Sequence, residues 1–374
     1  MKKIFSICLL TVLLLPRLTL AQEALKSNLE TFEARVLKIL DQRTLLREDG
    51  SKNVQQNLSL KGLDGDWQGK EFIVTGISDT DIVDTLTYAQ GDRVLVNRDI
   101  DAEGKDNFYI IDYVRRGALY LLAVIFALLI LIIGRWKGFK SLFSLLISFL
   151  VIMKMIVPLI LAGQNPLLVG IAGSIIILIF VIYLTEGWGR ASHLAIISIT
   201  ISLIITYLLS EVWIGAARLS GLSEEAAALI GFGKTAINFS GLLLAGIIIG
   251  TLGVLDDVVI SQIEAVRQIK SANPALSNVK VFKMAFEIGN AHLGAVVNTL
   301  FLAYAGASLP LLLLFSVDIP PFITFRQAIN NEMLATEIVR TLVGSIGLAL
   351  AIPLTTVLAT YFLRGNEPEH HHAH

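Results

Sequence analysis

Hydrophobic and polar positions change their rhythm near Arg115-Arg116. Before that point apolar residues come in short runs: Ala34–Leu40, Gln56–Leu63, Glu71–Ile77, Arg93–Ile100 and Phe108–Val114. Asp49-Gly50, Asp64-Gly65-Asp66, Gly91-Asp92 and Glu103-Gly104-Lys105 separate them. Short β-rich runs bounded by turn residues predict strands. Five of them fit a small closed or partly open β-barrel of the OB type. After Arg116 the apolar runs lengthen into seven expected spans: Gly117–Gly134, Ser141–Leu161, Pro166–Leu184, His193–Ile214, Phe239–Ile263, Ala285–Phe315 and Ala335–Leu363. The last two exceed the roughly 20 residues a crossing needs, so tilt, a kink or an extension past the bilayer is expected. Pro310 and Pro353 are the natural kink sites. The expected fold class is an α-helical polytopic membrane protein with a small N-terminal extracytoplasmic OB-like β domain.

The first residues read as a secretory signal. Lys2-Lys3 precede an apolar run from Ile4 to Leu15, followed by Pro16, Arg17 and the small Ala21. That is the layout of a cleavable leader, and the run is short for a span, although an uncleaved first helix is the alternative. The expected organisation is a signal segment at 1–22, a β domain at 23–114, a seven-helix domain at 115–364 and a histidine-containing tail at 365–374. With the β domain outside, the inner loops hold Arg135, Lys137, Lys140, Arg190, Arg267, Lys270, Lys280, Lys283 and Arg364. The outer side holds only Arg115, Arg116, Arg218, Lys234 and Arg326. The excess of positive charge inside predicts a multi-pass membrane protein with an exported β domain and a cytoplasmic C-terminus.

Composition sharpens this division. Of 374 residues 54% are hydrophobic and 16% charged, and mean hydropathy is +0.70. A soluble chain carries about 25% charged residues, so an ordinary soluble enzyme is excluded. Roughly half of the charges fall between Glu23 and Arg116, which leaves the remainder still more apolar. Net charge is −1, which suggests neither nucleic acid as a partner nor a disordered acidic tail. The single cysteine, Cys8, lies in the expected signal segment and forms no disulfide framework.

Charges inside a span are costly and therefore mark candidate sites. Asp256 and Asp257 lie about 15 Å from the helix end marked by Arg267, near mid-bilayer. Two adjacent carboxylates there cannot both be ionised cheaply, so one is expected to bind and release a proton. A structural ion pair is the plainer alternative. Gly246, Gly250, Gly253, Asp257 and Glu264 share one helix face, and small residues on it let another helix approach closely. Asp257 is accordingly expected to point into the bundle. In the next span Glu287, Gly294 and Asn298 share a face, and His292 and Thr299 lie on another. His292, roughly 13 Å deep, is either a relay or a satisfied core residue. Lys154, roughly 20 Å into the second span, is the candidate counter-charge. Arg340 lies nearer the outer side. Asp79, Asp81 and Asp84 form a cluster that reads better as a solvated loop than as a cation site. The terminal histidines, His370 to His372 and His374, could bind metal only weakly. No nucleotide, zinc-protease, dithiol or serine-hydrolase motif is present, so neither a metal site nor a cofactor is expected.

The stretch Gly250-Thr-Leu-Gly-Val-Leu-Asp-Asp-Val-Val-Ile-Ser261 resembles the hallmark of the YibE/F family of bacterial membrane proteins. So does Gly294-Ala-Val-Val-Asn298-Thr-Leu-Phe-Leu-Ala-Tyr304-Ala-Gly306-Ala-Ser308-Leu-Pro310. An outer β domain followed by about seven spans is similar to that family over nearly the whole mature chain. The resemblance brings no established activity. It favours Asp257 over Asp256, since the first position is non-acidic in many members. Gly253-Val-Leu-Asp256-Asp257 also resembles, at the level of fold, the fourth-helix pattern of resistance–nodulation–division permeases, whose acidic groups there carry proton coupling. Spans two to seven would match one six-helix half of such a permease. The large exported insert of those permeases is missing, because only Gly163-Gln164-Asn165 join spans two and three.

Two readings follow. The first is a proton-coupled transporter or transporter subunit of unspecified substrate. The second is a non-transporting membrane protein whose exported β domain binds a partner or ligand. Seven spans exceed what an anchor requires, which favours the first. An enzyme is not expected: the carboxylate pair resembles that of membrane aspartyl proteases, which carry their aspartates on separate helices. The expected partners are the lipid bilayer and either a membrane partner subunit or further copies of the chain.

Overall fold

The computed structural model describes residues 30–46, 52–77, 86–100, 104–222, 237–314, 316 and 324–363. The expected signal segment, the Asp79–Asp81–Asp84 cluster and the histidine tail lie outside the described residues. Described residues up to Leu129 form one compact unit and those from Ile130 another.

The first unit is built on five strands: β1 (Glu30–Leu46), β2 (Lys52–Gly62), β3 (Glu71–Thr75), β4 (Arg93–Ile100) and β5 (Asp106–Tyr113). They make one antiparallel sheet in the order β3-β2-β1-β4-β5. Strand β1 is longer than its sequence run because it serves two partners. Glu30–Arg35 pair with β4, and Ala34–Leu46 pair with β2. Register shifts at Val36/Lys38 and Ile39/Asp41 let β1 bend between them. Alternate residues point inward, as period two requires: Phe32, Ala34 and Val36 on β1, Leu58 and Leu60 on β2, Val94 and Val96 on β4. The expected barrel is not closed. Edge strands β3 and β5 share no hydrogen-bonded ladder; they meet through side chains, with Phe72 and Phe108 ring centroids 4.5 Å apart. Phe32 and Trp67 complete that aromatic cluster.

The remaining elements are helical: α1 (Arg116–Val151), a π-helical turn (Ile152–Ile156), α2 (Val157–Leu161), α3 (Pro166–Thr185), α4 (Arg190–Ala216), α5 (Phe239–Ala272), α6 (Asn278–Ala307), α7 (Leu309–Leu314), α8 (Phe325–Ile329) and α9 (Glu332–Phe362). Among the described residues five helical stretches are long and apolar enough to cross a membrane: Arg116–Leu161, Pro166–Thr185, Arg190–Ala216, Phe239–Ala272 and Glu332–Phe362. The difference from seven arises at two places. The first two expected spans form one 46-residue stretch, broken at Arg135, whose φ of 47° and ψ of −125° are not helical. At that break Gly138 comes so close to Ile130 that a Cβ would sit 2.2 Å from the Ile130 carbonyl oxygen, so only glycine fits. The other place is α6, whose Lys280, Lys283, Glu287, Asn290, His292 and Asn298 make it too polar to qualify. Helix α6 ends at Ala307 and α7 restarts at Leu309-Pro310, where a kink is expected; α9 runs through Pro353 as one helix.

Helices α5 and α9 are central. The first contacts α3, α4, α6 and α9; the second contacts α4, α5 and α6. Leu255, Val259, Val266, Leu348, Ala351 and Ala359 are fully buried between them and their neighbours. Interhelical contact here depends on small residues, as expected where lipid is as apolar as a leucine side chain. Ser198, Ser202, Thr206 and Ser210 line one face of α4, fully buried. Each of the last three donates to the carbonyl four residues back, at 2.7–2.9 Å. Gly347 of α9 lies against Thr206 so tightly that a Cβ would approach its Oγ1 to 2.0 Å.

Candidate functional site

Helix α5 begins at Asn238, whose Oδ1 accepts from the Gly241 N–H at 3.0 Å, a capping arrangement that fixes the helix start. From there the helix presents two faces. Leu252, Leu255, Val259, Gln262, Ile263 and Val266 are buried. Gly246, Gly250, Gly253, Asp257 and Ser261 form an exposed line on the other side. Asp256 lies between the two, half-buried, and its Oδ1 accepts from the Asp257 N–H at 2.8 Å. Asp257 therefore faces away from the bundle of its own chain, contrary to the sequence expectation. The bulky face of α5 supplies the contacts with α3, α4 and α9, and the glycine face is left outward. Hydropathy does not decide between the two faces, because apolar burial drives no association between helices in lipid.

The same holds for most of the expected packing glycines. A Cβ at Gly246, Gly253 or Gly294 would meet nothing within 4 Å among the described residues. Gly250 alone of the four has a neighbour: a Cβ there would lie 2.8 Å from Tyr304 Oη of α6.

Two contacts set the register of α5 against α6. A Cβ on Gly344 of α9 would touch Thr251 and Leu300 at 3.4 and 3.5 Å, which puts those residues at one level. Further along, Gln262 Nε2 donates to the Ala285 carbonyl at 2.8 Å and to Thr356 Oγ1 at 2.7 Å, and Gly289 lies against the Gln262 amide. Between these tie points the antiparallel helices place Asp257 level with Gly294, Gly253 level with Asn298, and Ser261 level with Asn290. His292 follows half a turn from that level. His292 and the aspartates thus lie at similar heights along the two paired helices.

Helix α6 is buried along a narrow stripe of Val281, Ala285, Gly289 and Leu300. Glu287, Asn290, His292, Gly294 and Asn298 are exposed. Among the described residues, no hydrogen bond or ion pair engages the side chains of Asp257, Glu287, Asn290, His292 or Asn298. The elements bring these groups to neighbouring helices at similar depth without joining them. Lys154 is not brought to them. It sits exposed in the π-helical turn, which contacts α2 and α3, and it makes no ion pair among the described residues, so it is not the counter-charge expected from its depth. Arg340 is half-buried and pairs with Glu337 one turn back at 2.9 Å.

Sequence reasoning missed the Gln262–Ala285–Thr356 node, the hydroxyl ladder of α4 and the contact of Tyr304 with Gly250. The ladder has a legible signal, small polar residues every fourth position from Ser198 to Ser210. Among the described residues no group of histidine, cysteine or acidic side chains could hold a metal ion. Chemically, the outward side of α5 and α6 offers carboxylates able to accept protons, carboxamides able to donate hydrogen bonds, and glycines that admit close approach.

No curated protein and no solved structure matches the chain. A family model, that of the YibE/F-like proteins, matches residues 122–365, more than half of the chain and the whole of the α5–α6 region. The helices, the glycine face and the Asp256-Asp257 pair thus lie within the matched stretch, and the chain belongs to the YibE/F-like protein family.

Proposed function

We propose that this membrane protein is a proton-coupled transporter, or a subunit of one, in which Asp257 binds and releases the proton and Asp256 assists. The observation that carries this reading is a carboxylate pair on the helix that contacts most of the bundle, level with Gly294 and close in depth to His292. A charge at that depth must be solvated by protein or water, and losing it on protonation changes what the bundle has to solvate. A helix rearrangement with a small energy gap can then be biased by a proton gradient. Asn298, Glu287 and His292 are the groups available to share the proton or its water.

Several finer assignments accompany the proposal. Seven crossings result if the break at Arg135 separates two spans and α6 crosses with its polar side covered. The order β3-β2-β1-β4-β5 supports an OB-like barrel opened between β3 and β5. An exported β domain and a cytoplasmic C-terminus are supported by the charge asymmetry, a cleaved leader by the layout of residues 1–22, and placement in a bacterial plasma membrane by the family. A bundle like one half of a resistance–nodulation–division permease, and no enzymatic activity of its own, belong to the same reading.

The test is the full-length protein in proteoliposomes with an imposed proton gradient. Asp257→Asn keeps the shape of the protonated carboxyl. It is expected to insert and melt like the parent while losing gradient-driven proton uptake. Unchanged uptake, or a loss of stability by several kcal/mol as for a broken buried ion pair, would remove Asp257 from the role.

One observation favours a second reading, ligand binding by the β domain. A cleft of about 230 Å³ is lined by residues that include Gln55, Gln56, Tyr88 and Phe108. The Gln55 amide is buried there, and among the described residues neither its oxygen nor its nitrogen is hydrogen-bonded. If that reading holds, Gln55→Leu alters function and Asp257→Asn does not.

A further inference from the structure

Inside a bilayer every polar side chain must be met by protein or water. The outward side of α5 and α6 breaks that requirement within a single chain. Asp257, Asn290 and Asn298 are exposed and unpartnered among the described residues, and Gly246, Gly253 and Gly294 have open space where a Cβ would be. Gly246 and Gly253 stand seven apart, about two turns, which returns both to one helix face where small residues admit another helix. The glycines and the unpaired polar groups are separate observations, and both describe a surface shaped for another helix rather than for lipid.

We propose that a second copy of this chain covers the α5–α6 face, in a two-fold arrangement that lays α5 of each copy along α6 of the other. Complementarity within the face selects this occupant. The α5 edge offers a carboxylate acceptor among glycines, whereas the α6 edge offers carboxamide donors on either side of a glycine. A two-fold axis along the membrane normal keeps depth unchanged, so residues level within one chain are level across the interface. Asp257 then lies over Gly294 of the second copy, with the second copy's Asn290 and Asn298 about one turn to either side. Each carboxylate gains two donors, and the operation supplies the contact twice, as an isologous interface must. The inference deepens the reading of Asp257 as the proton site: that site is incomplete in one chain, and the second copy supplies its walls.

The glycines make the test selective. Gly250 touches Tyr304 of its own chain, so enlarging it disturbs the protomer. A Cβ at Gly246 meets none of the described residues, so Gly246→Leu is expected to leave the protomer intact and obstruct only the interface. In lipid nanodiscs the full-length protein is expected to be dimeric, with Gly246→Leu weakening the dimer about tenfold or more and leaving the thermal melting of detergent-dispersed monomer unchanged. In a Cys8→Ser background, Gly253→Cys in one tagged copy and Asn298→Cys in a differently tagged copy are expected to form chain-to-chain disulfides in native membranes. Leu208→Cys, exposed on α4, is expected to form none. A monomer in nanodiscs overturns the proposal. So do equal cross-linking by Leu208→Cys, cross-linking of Gly253→Cys within one chain to a cysteine placed between residues 223 and 236, and cross-linking only to a different protein. Failure here is distinct from failure of the proton reading. A monomer whose uptake depends on Asp257 refutes the dimer alone, and a dimer whose uptake is indifferent to Asp257→Asn refutes the proton role alone.

Discussion

Gln262 binds three helices through one carboxamide, taking the Ala285 carbonyl of α6 and the Thr356 hydroxyl of α9 as acceptors. The Thr356 hydroxyl in turn donates a hydrogen bond to the Ile352 carbonyl at 2.7 Å, so the chain of donors closes inside the bundle. Gln262→Leu removes both interhelical bonds while keeping apolar volume. It is expected to cost about 1 kcal/mol, read as a lower melting temperature in detergent. Gln262→Glu puts a charge at the same buried position and is expected to cost more. Asp256 and Asp257 were legible in the sequence, because two carboxylates in an apolar run are expensive wherever the helix faces. Gln262 was not. A glutamine five residues from Arg267 reads as the end of a span, and only the approach of Ala285 and Thr356 makes it a structural joint. Lys154 shows the converse, since depth alone suggested a partnership that the neighbours of its π-helical turn do not provide.

At the scale of elements, the contact between α4 and α9 depends on what each helix lacks. Gly347 accommodates Thr206, and the Ser202, Thr206 and Ser210 hydroxyls satisfy themselves on their own backbone, so both surfaces are smooth enough to meet. Gly347→Ala drives a methyl group into the Thr206 hydroxyl. It is expected to destabilise the bundle by about 1–3 kcal/mol. Thr206→Ala in the same chain removes the obstructing oxygen and is expected to restore most of that loss, and a double-mutant cycle on thermal unfolding measures the coupling. Helix positions and the five strands were legible from hydropathy period and turn residues, since both patterns are set locally. The break at Arg135 was legible as a boundary between spans. Its backbone conformation, and the near contact of Gly138 with Ile130, came only from how the chain bends there.

For the whole molecule, the charge asymmetry makes a prediction independent of any site. A cysteine at Asp66 should react with an impermeant maleimide applied to intact cells, and one at Ser271 should react only after the membrane is opened. Labelling in the reverse pattern would invert the topology. The sequence by itself determined the division into a β domain and membrane helices, and the family, because hydropathy and residue spacing are properties of the local chain. Tertiary structure decided which faces of those helices meet. It turned Leu255 and Val259 inward and Asp257 outward, left Gly246 and Gly294 open, and stopped the sheet short of a closed barrel. In water, burial of apolar surface would have announced the inward face in advance. In lipid apolar burial does not choose which face of α5 turns inward, and the choice belongs to shape and hydrogen bonding between helices distant in sequence.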